Sequence, residues 1–295
     1  WSSDVCSSDL IITETVPGAR SLSMGLWLRS GSRRETAAEN GISHFIEHML
    51  FKGTERRSTQ EIAVELDTIG GYSDAFTGKE IVSFNSKVLE EHASHAFDIL
   101  SDMMMRPLFR EDDLEKEKGV VLEEIKMDLD SAEAQTHELF CKKFWKEDAL
   151  GWPILGTPKT VKSFHPKMLR EHWSRHYIPG NMLITAAGKV KHGAFVKMVA
   201  SIMGVMDKGE PLPELPPGAA FNAEEQAKYR DYKEARRGAA DYIAMEGEFA
   251  KYLADVYSAP PIEREALTDE CEILVVGAGF AGLLLWHKLS AAGFT

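Results

Sequence analysis

Two histidines and a glutamate stand together in the stretch Gly41-Ile-Ser-His44-Phe-Ile-Glu47-His48-Met-Leu-Phe-Lys-Gly53. On a helix, His44 and His48 are one turn apart and project from one face, with Glu47 beside them. Two imidazoles so placed can close on a single divalent cation. Zinc in a catalytic site takes three protein ligands, commonly imidazole nitrogen or carboxylate oxygen, and keeps a fourth position for water. The ion lowers the pKa of that water to about 7, within reach of a carboxylate base. His44 and His48 are therefore read as two metal ligands and Glu47 as the base. The order His-x-x-Glu-His inverts the commoner His-Glu-x-x-His. A third ligand has to come from elsewhere in the chain.

A helix predicted over Glu111 to Leu129 offers three candidates, Glu117, Glu123 and Glu124. Glu117 and Glu124 are two turns apart on one face, while Glu123 points about 100° away from Glu124. Such a helix can present one carboxylate to the metal and use another to orient an imidazole. Periodicity alone leaves the choice open.

Around these two helices the pattern alternates between strand and helix. Ile11 to Thr15 and Leu22 to Leu28 read as strands, the second alternating Leu22, Met24, Leu26, Leu28. Gly31 to Asn40 reads as a polar loop. Ser58-Thr-Gln-Glu61 is a capping box opening a helix over Ile62 to Ile69, closed by Gly70-Gly71. Glu80 to Leu89 reads as a strand with Ile81, Ser83 and Asn85 on a wet face. Ala93 to Met105 is an amphipathic helix stopped by Pro107, with Met103 to Met105 in the core. The acidic run Glu111 to Glu117 reads as a solvated face. His172 and His176 form a second pair one turn apart, read as a solvated helix face because no third ligand accompanies them. His92 and His95 are read as surface residues. The class expected is α+β, a two-layer α/β sandwich.

Composition narrows the function. A chain of 295 residues with 44% hydrophobic and 27% charged residues is globular. Its net charge of −12 argues against nucleic acid and anionic membrane partners. The three cysteines, Cys6, Cys141 and Cys271, are far apart and odd in number, which excludes a disulfide framework and a thiolate metal site. The longest apolar run, Ile273 to Trp286, is too short to span a membrane.

The motifs resemble a family, the inverzincin zinc metallopeptidases of pitrilysin and the mitochondrial processing peptidase. The pattern runs from Gly31-Ser-Arg-x-Glu35 and Asn40-Gly-x-x-His44 through His48-Met-Leu-Phe-Lys-Gly-Thr54 and Gly70-Gly71. It continues with Ala75-x-Thr77-x-x-Glu80, Glu117-x-x-Val-Val-Leu-Glu-Glu124, Gly151-x-Pro-Ile-Leu-Gly156 and Tyr177-x-Pro179-x-Asn181, covering about 11 to 206. The resemblance implies a processing-peptidase-type sandwich and one zinc per chain. The family's glutamate ligand, 76 residues past the second histidine, lands on Glu124, and its helper carboxylate on Glu117. It also implies an endopeptidase whose peptide substrate adds as a strand to a sheet edge, here Tyr72 to Thr77, with Asp74 and Ala75 as contacts. Asp74 stands where the family often has Asn, and a carboxylate there favours basic residues. Family enzymes close a chamber from two similar halves. The expected partner is thus a second subunit or a C-terminal half, and the lone chain is expected to be weakly active or inactive. A non-catalytic subunit is the alternative within the family.

The ends of the chain read differently. Residues 1 to 10 repeat Ser-Ser-Asp and look like a foreign, adapter-like segment in place of a native N-terminus. Cytoplasmic is the default compartment. The peptidase-like domain is placed at 11–216, with four prolines marking its end, and a linker with helical segment at 217–270. Residues 271–295 carry Gly277, Gly279 and Gly282 after an apolar strand, an incomplete Rossmann-like βα unit for a dinucleotide. Residues 222 to 295 resemble the opening of Baeyer-Villiger-type flavin monooxygenases, a second function class. The unit stops before its acidic ribose ligand, so FAD is not an expected cofactor. The two partial resemblances meet near Gly218, which reads as a join of unrelated pieces.

Overall fold

The computed structural model describes residues 10–215 except 147 and 208. All belong to the first of two units into which the chain divides, Trp1–Ala220. Five strands, β1 (Leu10–Thr15), β2 (Ser21–Leu28), β3 (Tyr72–Thr77), β4 (Val82–Leu89) and β5 (Met182–Gly188), form one sheet in the order β1-β5-β2-β4-β3. Only the β1–β5 pair is parallel. The α+β class is the one expected.

Register explains why the sheet has one dry face. Leu22, Met24, Leu26 and Leu28 of β2 stand opposite Val88, Ser86, Phe84 and Val82 of β4. On the other side Met24, Leu26 and Leu28 meet Ala186, Ile184 and Met182 of β5. Because strand side chains alternate, these apolar sets fall on one face and bury together.

Eight α-helices lie among the described residues: α1 (Ile42–Leu50), α2 (Thr59–Thr68), α3 (Ala93–Met105), α4 (Glu111–Asp130), α5 (Ala132–Trp145), α6 (Pro158–Ser163), α7 (Pro166–His176) and α8 (His192–Met203). Phe45, Ile46 and Met49 of α1 join Phe97 and Leu100 of α3, Val121 of α4 and Phe195 of α8 in the same core as the strands. At about 25 cal/mol per Å² of apolar area, this shared burial, rather than propensity, holds a nine-residue helix such as α1. None of the described helices is long and apolar enough to cross a membrane.

Several expectations are corrected. The segment 31–40 is not a plain polar loop: it carries a short 3-10 turn, Ser32–Arg34, and buries Ser32, Glu35 and Asn40. Ser83, assigned to a wet face, is buried because Trp27 and Phe76 flank it in register. His172 and His176 are not solvated; they are 1% and 6% exposed, with ring centroids 3.9 Å apart. Glu117 is likewise buried, although it ends a mostly exposed acidic run. Helices α5 and α6 have no counterpart in the sequence reading. Of the segment 1–10 only Leu10 is described, and it opens β1 by pairing with Leu183; residues 1 to 9, read as foreign, lie outside the described residues. The linker, the dinucleotide-binding unit and its Gly277, Gly279 and Gly282 lie outside the described residues.

Candidate metal centre

Helix α1 carries both histidines, and α4 packs against it. Side chains one turn apart share a face, so His44 and His48 lie with ring centroids 4.6 Å apart. Glu124 of α4 approaches both: its Oε2 is 3.9 Å from His44 Nε2 and 3.5 Å from His48 Nε2. These three side chains each offer a ligand atom within 4.8 Å of the others. Glu123 points elsewhere and pairs with Lys126 on the surface.

The arrangement fits a cation better than a hydrogen-bonded cluster. Glu124 Oε2 is buried yet has no hydrogen-bond partner, since both imidazole nitrogens are beyond hydrogen-bonding range. Atoms that each ligate zinc at about 2.1 Å in a tetrahedron lie about 3.4 Å apart. The Glu124–His48 separation of 3.5 Å is close to that edge, and the Glu124–His44 separation of 3.9 Å is somewhat longer. Burial pushes His44 down to about 4, helped by the neighbouring His48, which leaves its nitrogen lone pair free at neutral pH.

His48 is held differently. Its Nδ1 and Glu117 Oε1 are 2.8 Å apart, and the other Glu117 oxygen accepts from Lys52 Nζ at 2.7 Å. With Nδ1–H donating, the His48 lone pair is on Nε2, facing Glu124. Burial alone would lower the His48 pKa, but the Glu117 hydrogen bond and the charges of Glu124 and Glu117 raise it overall. Burial pushes Glu117 up, and its bonds to His48 and Lys52 more than reverse this.

Glu47 points from the same helix toward β3, where the Thr77 hydroxyl donates to its Oε2. Burial raises the Glu47 pKa, and the Thr77 bond offsets only part of that rise. Strand β3 is the outer strand of the sheet, bonded to β4 alone among the described residues. Asp74 and Ala75 sit in the middle of it; the Tyr72 hydroxyl donates to Asp74 Oδ2 at 3.2 Å. The charge of Asp74 adds to the rise at Glu47.

Three residues quoted in the motifs gained roles only from the geometry: Lys52, Thr77 and Glu35. Glu35 bonds to the start of α1, accepting from Gly41 N at 2.8 Å and Ser43 N at 2.9 Å. Burial pushes it up to about 7, against these backbone bonds, while Lys79 faces it from the β3–β4 hairpin. No short spacing rule could have linked Glu35 to a helix that begins at Ile42.

Comparison with known proteins points one way. Residues 10–158 match the family described as Insulinase (Peptidase family M16). The chain is 45% identical over 194 residues to a Bacillus subtilis protein named "Uncharacterized zinc protease YmxG", covering 66% of this chain and 47% of that one. It is 34% identical over 196 residues to the "Probable mitochondrial-processing peptidase subunit beta, mitochondrial" of Arabidopsis thaliana, covering 65% of this chain and 36% of that one. Its fold is similar to the crystal structure of a peptidase M16 inactive domain from Pseudomonas fluorescens, with a TM-score of 0.67 at 17% identity, covering 74% of this chain and 53% of that one. The chain thus spans about half the length, or less, of these relatives.

Proposed function

The chain belongs to the insulinase family, peptidase family M16, and on that footing we propose that it is a zinc-dependent endopeptidase acting on extended peptides. The observation that carries the reading is the convergence of His44, His48 and Glu124, with Glu47 in the same turn of α1. Zinc held by those three side chains would supply an acidified water and polarise a peptide carbonyl. Glu47 takes a proton from the water and later gives it to the departing amine nitrogen, ending as it began. Its burial-raised pKa suits that return step. The Thr77 hydroxyl occupies one Glu47 oxygen and leaves the other to accept the proton. Glu117 fixes the His48 tautomer.

The outer edge of β3, which pairs with no further strand among the described residues, supports the substrate mode. An extended peptide pairing there gains main-chain hydrogen bonds with little dependence on its sequence. Asp74 and Ala75 contact it, and the Asp74 carboxylate selects for a basic side chain nearby. The matched region covers 47% of the Bacillus subtilis relative, and in this reading a second, similar half or a partner subunit closes the site over the peptide. A non-catalytic subunit has no use for Glu47, and the intact His44, Glu47, His48 and Glu124 set favours the catalytic reading.

The test is Glu47→Gln. Zinc content stays at one per chain while cleavage of an unstructured peptide falls by about 100-fold or more. Retained turnover rejects Glu47 as the base.

A further inference from the structure

The two imidazoles reach one point by unequal means. His48 is gripped at Nδ1 by Glu117, whereas His44 Nδ1 is buried and has no hydrogen-bond partner among the described residues. The His44 ring is therefore aimed by the backbone of its own turn. That turn is the first of α1, formed by Ile42, Ser43 and His44. First-turn N–H groups have no partner inside the helix, and a short helix frays where they are left open.

A cap normally comes from the side chain of the preceding residue. Here that residue is Gly41, in the left-handed region at φ 94°. A Cβ on it would lie 2.6 Å from the Leu155 carbonyl oxygen and 2.7 Å from Gly156 Cα. No side chain fits, so α1 cannot carry its own cap. Glu35 supplies one from outside the helix: its Oε1 accepts from Ser43 N at 2.9 Å and its Oε2 from Gly41 N at 2.8 Å. Asn40 Nδ2 also donates to Oε2 at 3.1 Å and at the same time reaches the Pro153 carbonyl at 2.9 Å. The cap is thereby tied to the loop that leads into α6. A carboxylate at a helix N-terminus is favoured by the helix dipole as well as by the bonds themselves.

We propose that Glu35 is a positioning residue of the metal centre, a buried carboxylate that holds the first turn of α1 and through it the His44 imidazole. The inference rests on the metal-centre reading given above. Glu35 is hydrogen-bonded to none of the three metal ligands; it acts through the backbone of Gly41 and Ser43.

Zinc titration of the metal-free chain against a competing chelator, with imidazole NMR, tests it. In Glu35→Gln one acceptor oxygen becomes a donor facing a donor. The zinc dissociation constant rises about tenfold, a size typical of losing support behind a ligand. The His44 ring resonances shift and broaden while those of His48 stay. Glu35→Asp keeps the charge but is one methylene short of bridging both N–H groups; its constant lies in between, and it carries the test if the glutamine variant does not fold. Ser58→Ala, which uncaps α2 instead, leaves the constant within about twofold of wild type, as expected for a distant, independent site. Zinc binding by Glu35→Gln within about twofold of wild type, or equal disturbance of both rings, overturns the inference. A wild-type chain that takes up no zinc overturns the metal-centre reading itself, a separate result.

Discussion

The first and second turns of α1 make an instructive pair. In the second turn His48 is fixed through its side chain, by a chain of bonds running Lys52, Glu117, His48. In the first turn His44 has no such grip on its ring, and its geometry depends on where Glu35 places the backbone. Side-chain support is local and can be removed one bond at a time. Backbone support is shared by every residue of the turn, and it is coupled to the ionisation of a buried acid. The same ligand type, one turn apart, is therefore exposed to different kinds of failure.

Glu124 is the place where this contrast disappears, because its Oε2 faces both rings. Glu124→Ala removes the shared ligand, and zinc measured by elemental analysis drops from one per chain to near zero. A variant that kept stoichiometric zinc would show that the two histidines need no common carboxylate.

Next in size is the pH response of the first turn. Glu35 has a folded pKa of about 7 against an ordinary value of 4.5. Between those values the folded protein holds a proton that the unfolded chain has released. Ionising Glu35, the form whose two oxygens both accept from the backbone, therefore costs stability as pH rises from 4.5 toward about 7. Measured by urea unfolding of metal-free protein, wild type should lose on the order of 3 kcal/mol relative to Glu35→Gln between about pH 4.5 and 7. A constant gap across that range would mean that Glu35 does not titrate there, and the contrast between the turns would rest on hydrogen bonds alone.

The second turn responds more mildly. Glu117→Gln weakens the support behind His48, and zinc affinity falls by about 10- to 100-fold. Lys52→Met leaves the Glu117–His48 bond in place and should cost only a few-fold, about 1 kcal/mol or less. Chelator competition on both variants ranks them. The reverse order would make Lys52, rather than Glu117, the anchor of that turn.

Much of this site was legible before the fold was known, and the legible parts are those governed by short spacing. The His44–His48 separation, the face shared by Glu117 and Glu124, and the Ser58–Glu61 capping box are all set within two helical turns, and each appears as expected. What escaped depends on distant contacts. Glu35 reads as one more polar residue in a loop, because its partners are fixed by a turn folding back, not by periodicity. His172 and His176 show the same limit from the other side. Their spacing is that of a surface pair, yet α7 packs against α1, and burial, not sequence, decided their environment. Glu117 stands out in the sequence by the face it shares with Glu124; its burial inside an acidic run was not readable from charge pattern.

The position of β3 at the margin of the sheet carries a last consequence. An open strand edge accepts any extended chain, a second copy of this domain included. The outward Tyr72 and Phe76 make such self-pairing more adhesive, while the carboxylate of Asp74 between them and the brevity of a six-residue strand oppose it. Asp74 is thus a guard against clumping as well as the proposed contact for substrate. Replacing it to retune selectivity would also lower the concentration at which copies begin to stick together.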